Sequence, residues 1–214
     1  MENPDNDGTD RTLAEAAYAL NAAHPEGHNF PPLFFFTDEA RCPDPLPILK
    51  RLPKGCGIVF RHYETANRAE MAARVLDAAQ AQGRCCLIGG DEDLAQSLGA
   101  DGLHLPEHMV VGFRRTESED NWLITAAAHG EEALDAASTA KVDAAFLSPV
   151  FETPSHAGGP ALGLERFREL AQSTPLPIYA LGGITTKTAP QLLGQDAGRN
   201  VIGLGAIGAL LGLS

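Results

Sequence analysis

Two kinds of residue in this chain can do chemistry. The first are proton carriers and fixed cations. His62, His104, His108, His129 and His156 offer imidazoles, and Arg61 offers a guanidinium. Proton transfer at neutral pH needs a base whose pKa lies close by, and histidine suits it best. Arg61 suits a phosphate or carboxylate, or a structural ion pair with Asp38 or Asp91. The second kind is glycine at the end of an apolar run. PIYALGG at 177–183 and VIGLGAIG at 201–208 both end this way. Gly182 and Gly183 let a ligand approach the backbone with no Cβ between them. Thr185 or Thr186 can cap a helix over 186–193, and N–H groups at a helix start attract anions. The same glycines also suit tight turns, but the second glycine-ended run favours a phosphate site. His129 and His156 are the candidate bases, with His62 behind them. His104, inside the run 102–105, reads as a core residue.

The elements that must position these groups alternate along the chain. Apolar runs at 33–37, 57–63, 85–88, 102–105, 123–128, 144–147, 177–183 and 201–208, the last two ending in glycine, read as strands buried on both faces. Helical patterns fall at 46–52, 65–82 with Thr65 as cap, 91–98 ended by Gly99, 107–115, 130–140 and 164–172. Eight strands with crossover helices give an α/β fold with a parallel sheet. The late glycine-rich turns favour a closed (β/α)8 TIM barrel over an open doubly wound sheet. Only ALLGLS follows Gly208, so the eighth helix is truncated or missing. An extra N-terminal helix at 12–23 is expected to cap the barrel bottom or to fill part of that gap. Residues 1–10 read as a disordered tail, and 11–214 as one barrel domain. In this fold the strand ends line the ligand site. Arg61, Tyr63, Asp91, His129, Thr153, Ser155, His156, Gly182, Gly183, Gly205 and Ala206 therefore gather at one mouth, with Gly163 ahead of the sixth crossover helix.

Composition narrows the function. The 28 acidic and 16 basic residues among 214 leave a formal net charge of −12. A general nucleic-acid binder needs a basic footprint, so that class is excluded, whereas a phosphate held by backbone N–H groups is not. Cys42, Cys56, Cys85 and Cys86 lack metal-ligand spacing and read as free thiols, mostly buried. No apolar run is long enough to span a membrane, and MENPDNDGTDRT lacks a signal-peptide core. The expected location is the cytoplasm, and the expected partner is a small molecule, with a homo-oligomer left open.

Several pieces together carry a resemblance. They are FFTD at 35–38, Arg61, DLAQSLGADGLHL at 93–105, AAH at 127–129, SPVFETPSH at 148–156, LGGI at 181–184 and the final IGLGAIG. From about 33 to 210 the chain resembles the thiamine phosphate synthase and TenI family. The resemblance implies a TIM barrel acting on a thiazole phosphate in thiamine biosynthesis. The synthase couples that compound to a pyrimidine diphosphate, using Mg²⁺ and a cationic clamp.

This chain departs from the synthase pattern at one place after another. Gly89-Gly90 stand where the family usually has Asn-Asp. Pro106-Glu107-His108-Met109 stand for Gly-Gln-Glu-Asp, and Arg61-His62-Tyr63 for Arg-x-Lys. Thr153-Pro154-Ser155-His156 stand for Thr-x-Thr-Lys, and the serine expected near Gly205 is gone. Asp91 and Glu107 lie near the lost ligands and could replace them after a local shift. No metal residues are assigned, and Mg²⁺ is implied only if synthase activity survives. The thiazole-phosphate side rests on backbone at Gly163, Gly182, Gly183, Gly205 and Ala206. That pattern is similar to the TenI branch, which shifts a proton on the thiazole phosphate without metal. Leu105-Pro106 and Phe151-Glu152-Thr153 resemble it too, although the catalytic histidine expected before Val150 is Pro149 here. A non-catalytic barrel that holds a phosphate ligand is a further alternative. A transition-metal site of His108, His129 and His156 is another.

Overall fold

The computed structural model describes residues 9–116, 119, 121–153, 160–194 and 200–212, with side chains from residue 13 onward. Eight parallel strands close into a barrel in chain order. They are β1 (Leu33–Phe36), β2 (Cys56–Phe60), β3 (Cys86–Gly89), β4 (Gly102–Leu105), β5 (Leu123–Ala128), β6 (Ala144–Leu147), β7 (Ile178–Ala180) and β8 (Val201–Ala206). The helices are α1 (Thr9–Ala23), α2 (Leu46–Leu49), α3 (Arg68–Gln80), α4 (Glu92–Leu98), α5 (Glu107–Val110), α6 (Glu131–Thr139), α7 (Gly163–Ser173) and α8 (Gly208–Leu211). No described helix is long and apolar enough to cross a membrane.

The strands are apolar almost throughout because both faces are covered; His104 in β4 and Thr125 in β5 are buried polar exceptions. Leu33, Phe35, Ile58, Ile88 and Ile124 belong to the shell under the helices. Phe34, Phe36, Phe146 and Tyr179 fill the barrel interior with Val59, Leu87 and Ile202. Phe34 meets Tyr179 edge to face at 5.2 Å and Phe36 meets Phe146 so at 4.7 Å, while Phe146 and Tyr179 stack at 4.6 Å. That geometry suits the ring quadrupoles. Gly57 makes the layer possible, since a Cβ there would lie 2.4 Å from the Phe34 ring. The lower barrel is thus packed solid, and open space remains at the strand C-terminal ends.

Local chemistry explains where the helices depart from expectation. Asp91 caps α4 by accepting from the Leu94 N–H at 3.0 Å, and Gly99 ends it at φ 66°. Thr65 does not cap α3, which starts at Arg68; its hydroxyl donates to Glu39 Oε2 at 2.8 Å instead. The helix expected after β7 is only a 3-10 turn, Ala189–Leu192, containing Pro190. Proline has no N–H to donate into a helix.

α1 begins at Thr9, so the last two residues of the expected tail are helical, while residues 1–8 lie outside those described. It lies against β8, β1, α8 and the 189–192 turn, beside the single-turn α8. Leu13, Ala16, Ala17 and Leu20 are buried there. Asn21 Nδ2 donates to the carbonyls of Phe30 and Ile202, both at 3.2 Å. α1 therefore occupies space that a full eighth helix would have covered. Leu20→Ala should cost about 2–5 kcal/mol and lower Tm by several degrees. Asn21→Ala should cost about 1–3 kcal/mol by orphaning its partners. A thermal melt unchanged by both would show that α1 is not part of the folded unit.

Candidate active site

The barrel mouth holds a cavity of about 1010 Å³. Arg61, Tyr63, His129, Thr153, Gly182, Gly183, Gly205 and Ala206 line it, together with His104, His108, Glu107, Glu152, Asp38 and Arg41. Ser155 and His156 lie outside the described residues.

Arg61 stands just beyond β2. Its backbone N–H donates to Thr37 Oγ1 at 2.8 Å and its Nε to the Thr37 carbonyl at 3.3 Å. The guanidinium lies over the Phe36 ring, 5.2 Å from its centroid. Burial pulls its pKa below the usual arginine range. Both carboxylates expected to pair with it are engaged elsewhere. Asp38 accepts from Arg41 through Nε at 3.1 Å and Nη2 at 2.7 Å. Asp91 pairs with Arg68 Nη1, whose Nη2 donates to the Gly89 carbonyl at 2.6 Å. Arg61 thus forms no ion pair among the described residues, and its head faces the cavity. Asp91, tied to Arg68 and to the α4 N-terminus, is not on the cavity wall.

The histidines divide by environment. His62 is buried, with Nδ1 2.9 Å from Thr37 Oγ1 and Nε2 3.1 Å from the Cys42 carbonyl. A carbonyl only accepts, so Nε2 carries the proton and the ring is a structural bridge away from the mouth. That removes His62 from the candidate bases. His104 points into the barrel, 3.0 Å from Thr125 Oγ1 and edge to face with Phe36 and Phe146. Burial first, and then the Arg61 charge, push its pKa down to about 3. His129 is exposed at the end of β5 and pairs with Glu107, with Nδ1 2.6 Å from Oε2.

Gly182 and Gly183 adopt φ of 89° and 65°, in the left-handed region that favours glycine. A Cβ on Gly182 would lie 2.6 Å from Pro149 Cα, and one on Gly183 2.6 Å from Phe151 Cβ. The pair therefore also lets the segment after β6 dock, with the Phe151 N–H donating to the Gly182 carbonyl at 3.1 Å. The N–H groups of Gly182, Gly183 and Ile184 donate to no group among the described residues. Those of Ile207, Gly208 and Ala209 are the same. All six residues line the cavity. Such a cluster of backbone donors is a concavity for an anion. Gly205 leaves room for the Phe36 and Phe146 rings, which a Cβ would approach to 3.1 and 3.2 Å. Gly163 is off the wall, and its N–H is bound to the Val150 carbonyl at 3.0 Å.

A Mg²⁺ ion at the ends of β3 and β4 would need hard oxygen ligands in near-octahedral array. Gly90 bears no side chain, and a Cβ there would meet Pro106 at 3.3 Å and the Met109 sulfur at 3.5 Å. A proline ring and a thioether occupy the place, Glu107 is turned to His129, and Asp91 to Arg68. The residues present do not fit the ion.

Sequence reasoning did not single out Arg41 and Arg68, which neutralise Asp38 and Asp91. Charge alternation near the strand ends is the only trace of them. It also did not place Thr185 and Thr188 on the wall. Thr188 Oγ1 holds the Gly183 carbonyl at 2.8 Å, and Thr185 Oγ1 accepts from the Thr188 N–H at 3.2 Å.

Comparison with known proteins gives a consistent result. The family model described as thiamine monophosphate synthase (TMP-TENI) matches residues 33–205. A putative thiamine-phosphate synthase 2 of Aquifex aeolicus is 35% identical over 99 residues, 46% of this chain and 53% of that protein. The chain thus spans about half the length of that relative. The thiamine-phosphate synthase of Acidothermus cellulolyticus is 30% identical over 178 residues, 79% of this chain and 84% of that one. Among solved structures, thiamine phosphate pyrophosphorylase from Pyrococcus furiosus superposes with a TM-score of 0.64. It is 21% identical and covers 82% of this chain and 85% of its own, a likeness of fold alone.

His104 makes stability depend on acid. Its folded pKa lies below the unfolded one, so only the unfolded chain takes up a proton as pH falls from about 6.5 towards 3. The stabilising contribution is complete above that window and is lost within it. His104→Gln keeps a partner for Thr125 and removes the titration. Its unfolding free energy should fall less steeply than the parent's between pH 6.5 and the acid transition. Parallel curves would mean that His104 titrates normally.

Proposed function

The chain belongs to the thiamine monophosphate synthase family, and on that premise we propose that it binds a thiazole phosphate at the barrel mouth and shifts a proton on it without a metal ion. The observation that carries this reading is Arg61, half-buried at the mouth on the wall of the same cavity as the backbone donors, with Asp38 and Asp91 taken by other arginines. A single phosphate fits the N–H groups of 182–184 and 207–209, with Arg61 as the fixed cation. Tyr63 and Thr153 line the same pocket. His129 takes a proton from one ring position and returns it to another, so the reaction balances within the substrate. His156 is the second candidate for that role. In this reading the protein is cytoplasmic, in keeping with four free cysteines.

Coupling to a pyrimidine diphosphate is the disfavoured alternative. Two arginines and three carboxylates, Asp38, Glu107 and Glu152, stand among the described lining residues, with no lysine. A departing diphosphate needs concentrated positive charge, from side chains or a metal. A silent phosphate-binding barrel differs only in lacking turnover.

Thiazole phosphate alone should raise Tm, with no added effect of Mg²⁺ and the pyrimidine diphosphate. The gain is about 2.7 kcal/mol at a hundredfold excess over Kd. Isomerisation followed by proton NMR should proceed in the presence of a chelator. A product formed only with Mg²⁺ and both substrates would restore the synthase reading. Binding without turnover would leave the silent barrel. Arg61→Ala should weaken the phosphate ligand by about 1–3 kcal/mol, the range for a lost charged hydrogen bond. An unchanged Kd would make Arg61 structural.

A further inference from the structure

One oxygen of Glu107 makes two contacts to a single residue. Oε2 accepts from the His129 backbone N–H at 2.9 Å and lies 2.6 Å from its Nδ1. A carboxylate oxygen is an acceptor, so the ring nitrogen facing it is the protonated one. In the neutral ring the lone pair then belongs to Nε2. The arrangement comes from adjacent strand ends. β4 and β5 pair in register, with Leu105 beside Ala126. Glu107 opens α5 two residues after Leu105, and His129 directly follows β5. Pro106, at φ −55°, fixes the turn between β4 and Glu107.

The pair is also a partition. On its other side is a second cavity of about 650 Å³, lined by Glu107, His129, Glu131, Glu132 and Asp135 with Gly130 and Ala133. An imidazole between two cavities presents a different nitrogen to the mouth when its ring turns over. We infer that Glu107 is the positioning residue of this site: its carboxylate locks the His129 ring in the Nδ1–H tautomer and one orientation, leaving Nε2 to exchange the substrate proton. The inference rests on proton transfer by His129 for its meaning, and the first readout below does not depend on that reaction. Sidechain-held tautomers are how proteins choose which imidazole nitrogen acts.

Two variants of the full chain separate charge from hydrogen bonding. Glu107→Gln keeps an acceptor oxygen, and Glu107→Leu removes it. Nitrogen NMR of the ligand-free protein, with His129 assigned through His129→Asn, should show the Nδ1–H form in the parent and in Glu107→Gln. In Glu107→Leu the Nε2–H form, which free histidine prefers, should appear. On thiazole phosphate, Glu107→Leu should lower kcat by roughly 10- to 100-fold, with KM little changed because the phosphate contacts remain. Glu107→Gln should fall between Glu107→Leu and the parent. Glu107 is half-exposed at the first turn of α5, so both variants should keep the parent's melting curve. An unchanged tautomer in Glu107→Leu would overturn the inference whatever the kinetics. A tautomer shift in a protein that does not turn over thiazole phosphate would uphold the positioning and remove the proposed reaction.

Discussion

Three arginines and two carboxylates meet around the ends of β1, β2 and β3, and the mismatch shapes the mouth. Arg41 holds Asp38 through Nε and Nη2 on one carboxylate oxygen, and Arg68 holds Asp91 through Nη1 while its Nη2 takes the Gly89 carbonyl. Arg61 is left over. It is desolvated, lies on the Phe36 ring and keeps one long bond to the Thr37 carbonyl. Burying a cation without a counter-charge is costly, and the cost falls when an anion arrives. The carboxylate pairing thus leaves Arg61 as the arginine of the three with no ion pair among the described residues. Thr37 anchors it, because its one hydroxyl joins the Arg61 backbone to the His62 ring.

The interior sets the floor beneath that site. Phe34, Phe36, Phe146 and Tyr179 close the barrel from below, with His104 wedged edge-on between Phe36 and Phe146. A Cβ at Gly205 would press on two of these rings, at 3.1 Å from Phe36 and 3.2 Å from Phe146. Phe36 serves both levels: it is a wall of the packed core and the surface on which Arg61 rests. His104 is similarly shared. Burial first, and then the charge of Arg61, keep it from accepting a proton.

How much of this is legible in the sequence follows from the range of each interaction. The runs 102–105, 123–128 and 144–147 coincide with β4, β5 and β6, because strands buried on both faces need predominantly apolar sequence. Asp91 and Gly99 mark the ends of α4 for the same local reason. The pairing of arginines with carboxylates is not local. Arg68 reaches Asp91 across a strand and a turn, and nothing in the spacing says that it arrives ahead of Arg61. His62 and His129 both follow strands, yet one turns into a polar bridge to Cys42 while the other opens to the mouth. Thr65 looks like a cap until Glu39 takes its hydroxyl. The glycine pair was readable as a backbone requirement. That Pro149 and Phe151 share in imposing it was not.

The two glycine-ended turns and the ends of β3 and β4 make opposite demands on a ligand. The turns offer backbone N–H donors, which bind an anion whatever the surface charge of the chain. The ends of β3 and β4 offer a thioether, a proline ring and a carboxylate already shared with an imidazole. Hard cations are poorly served there and proton carriers are well served. A barrel with net charge −12 and no lysine among its described lining residues can still hold one phosphate, because that binding is local and dipolar. It is badly placed to stabilise a diphosphate leaving group, whose charge must be met at longer range in a wetter mouth. On the proposed reading, this backbone serves one phosphate-bearing substrate and the chemistry is confined to that substrate.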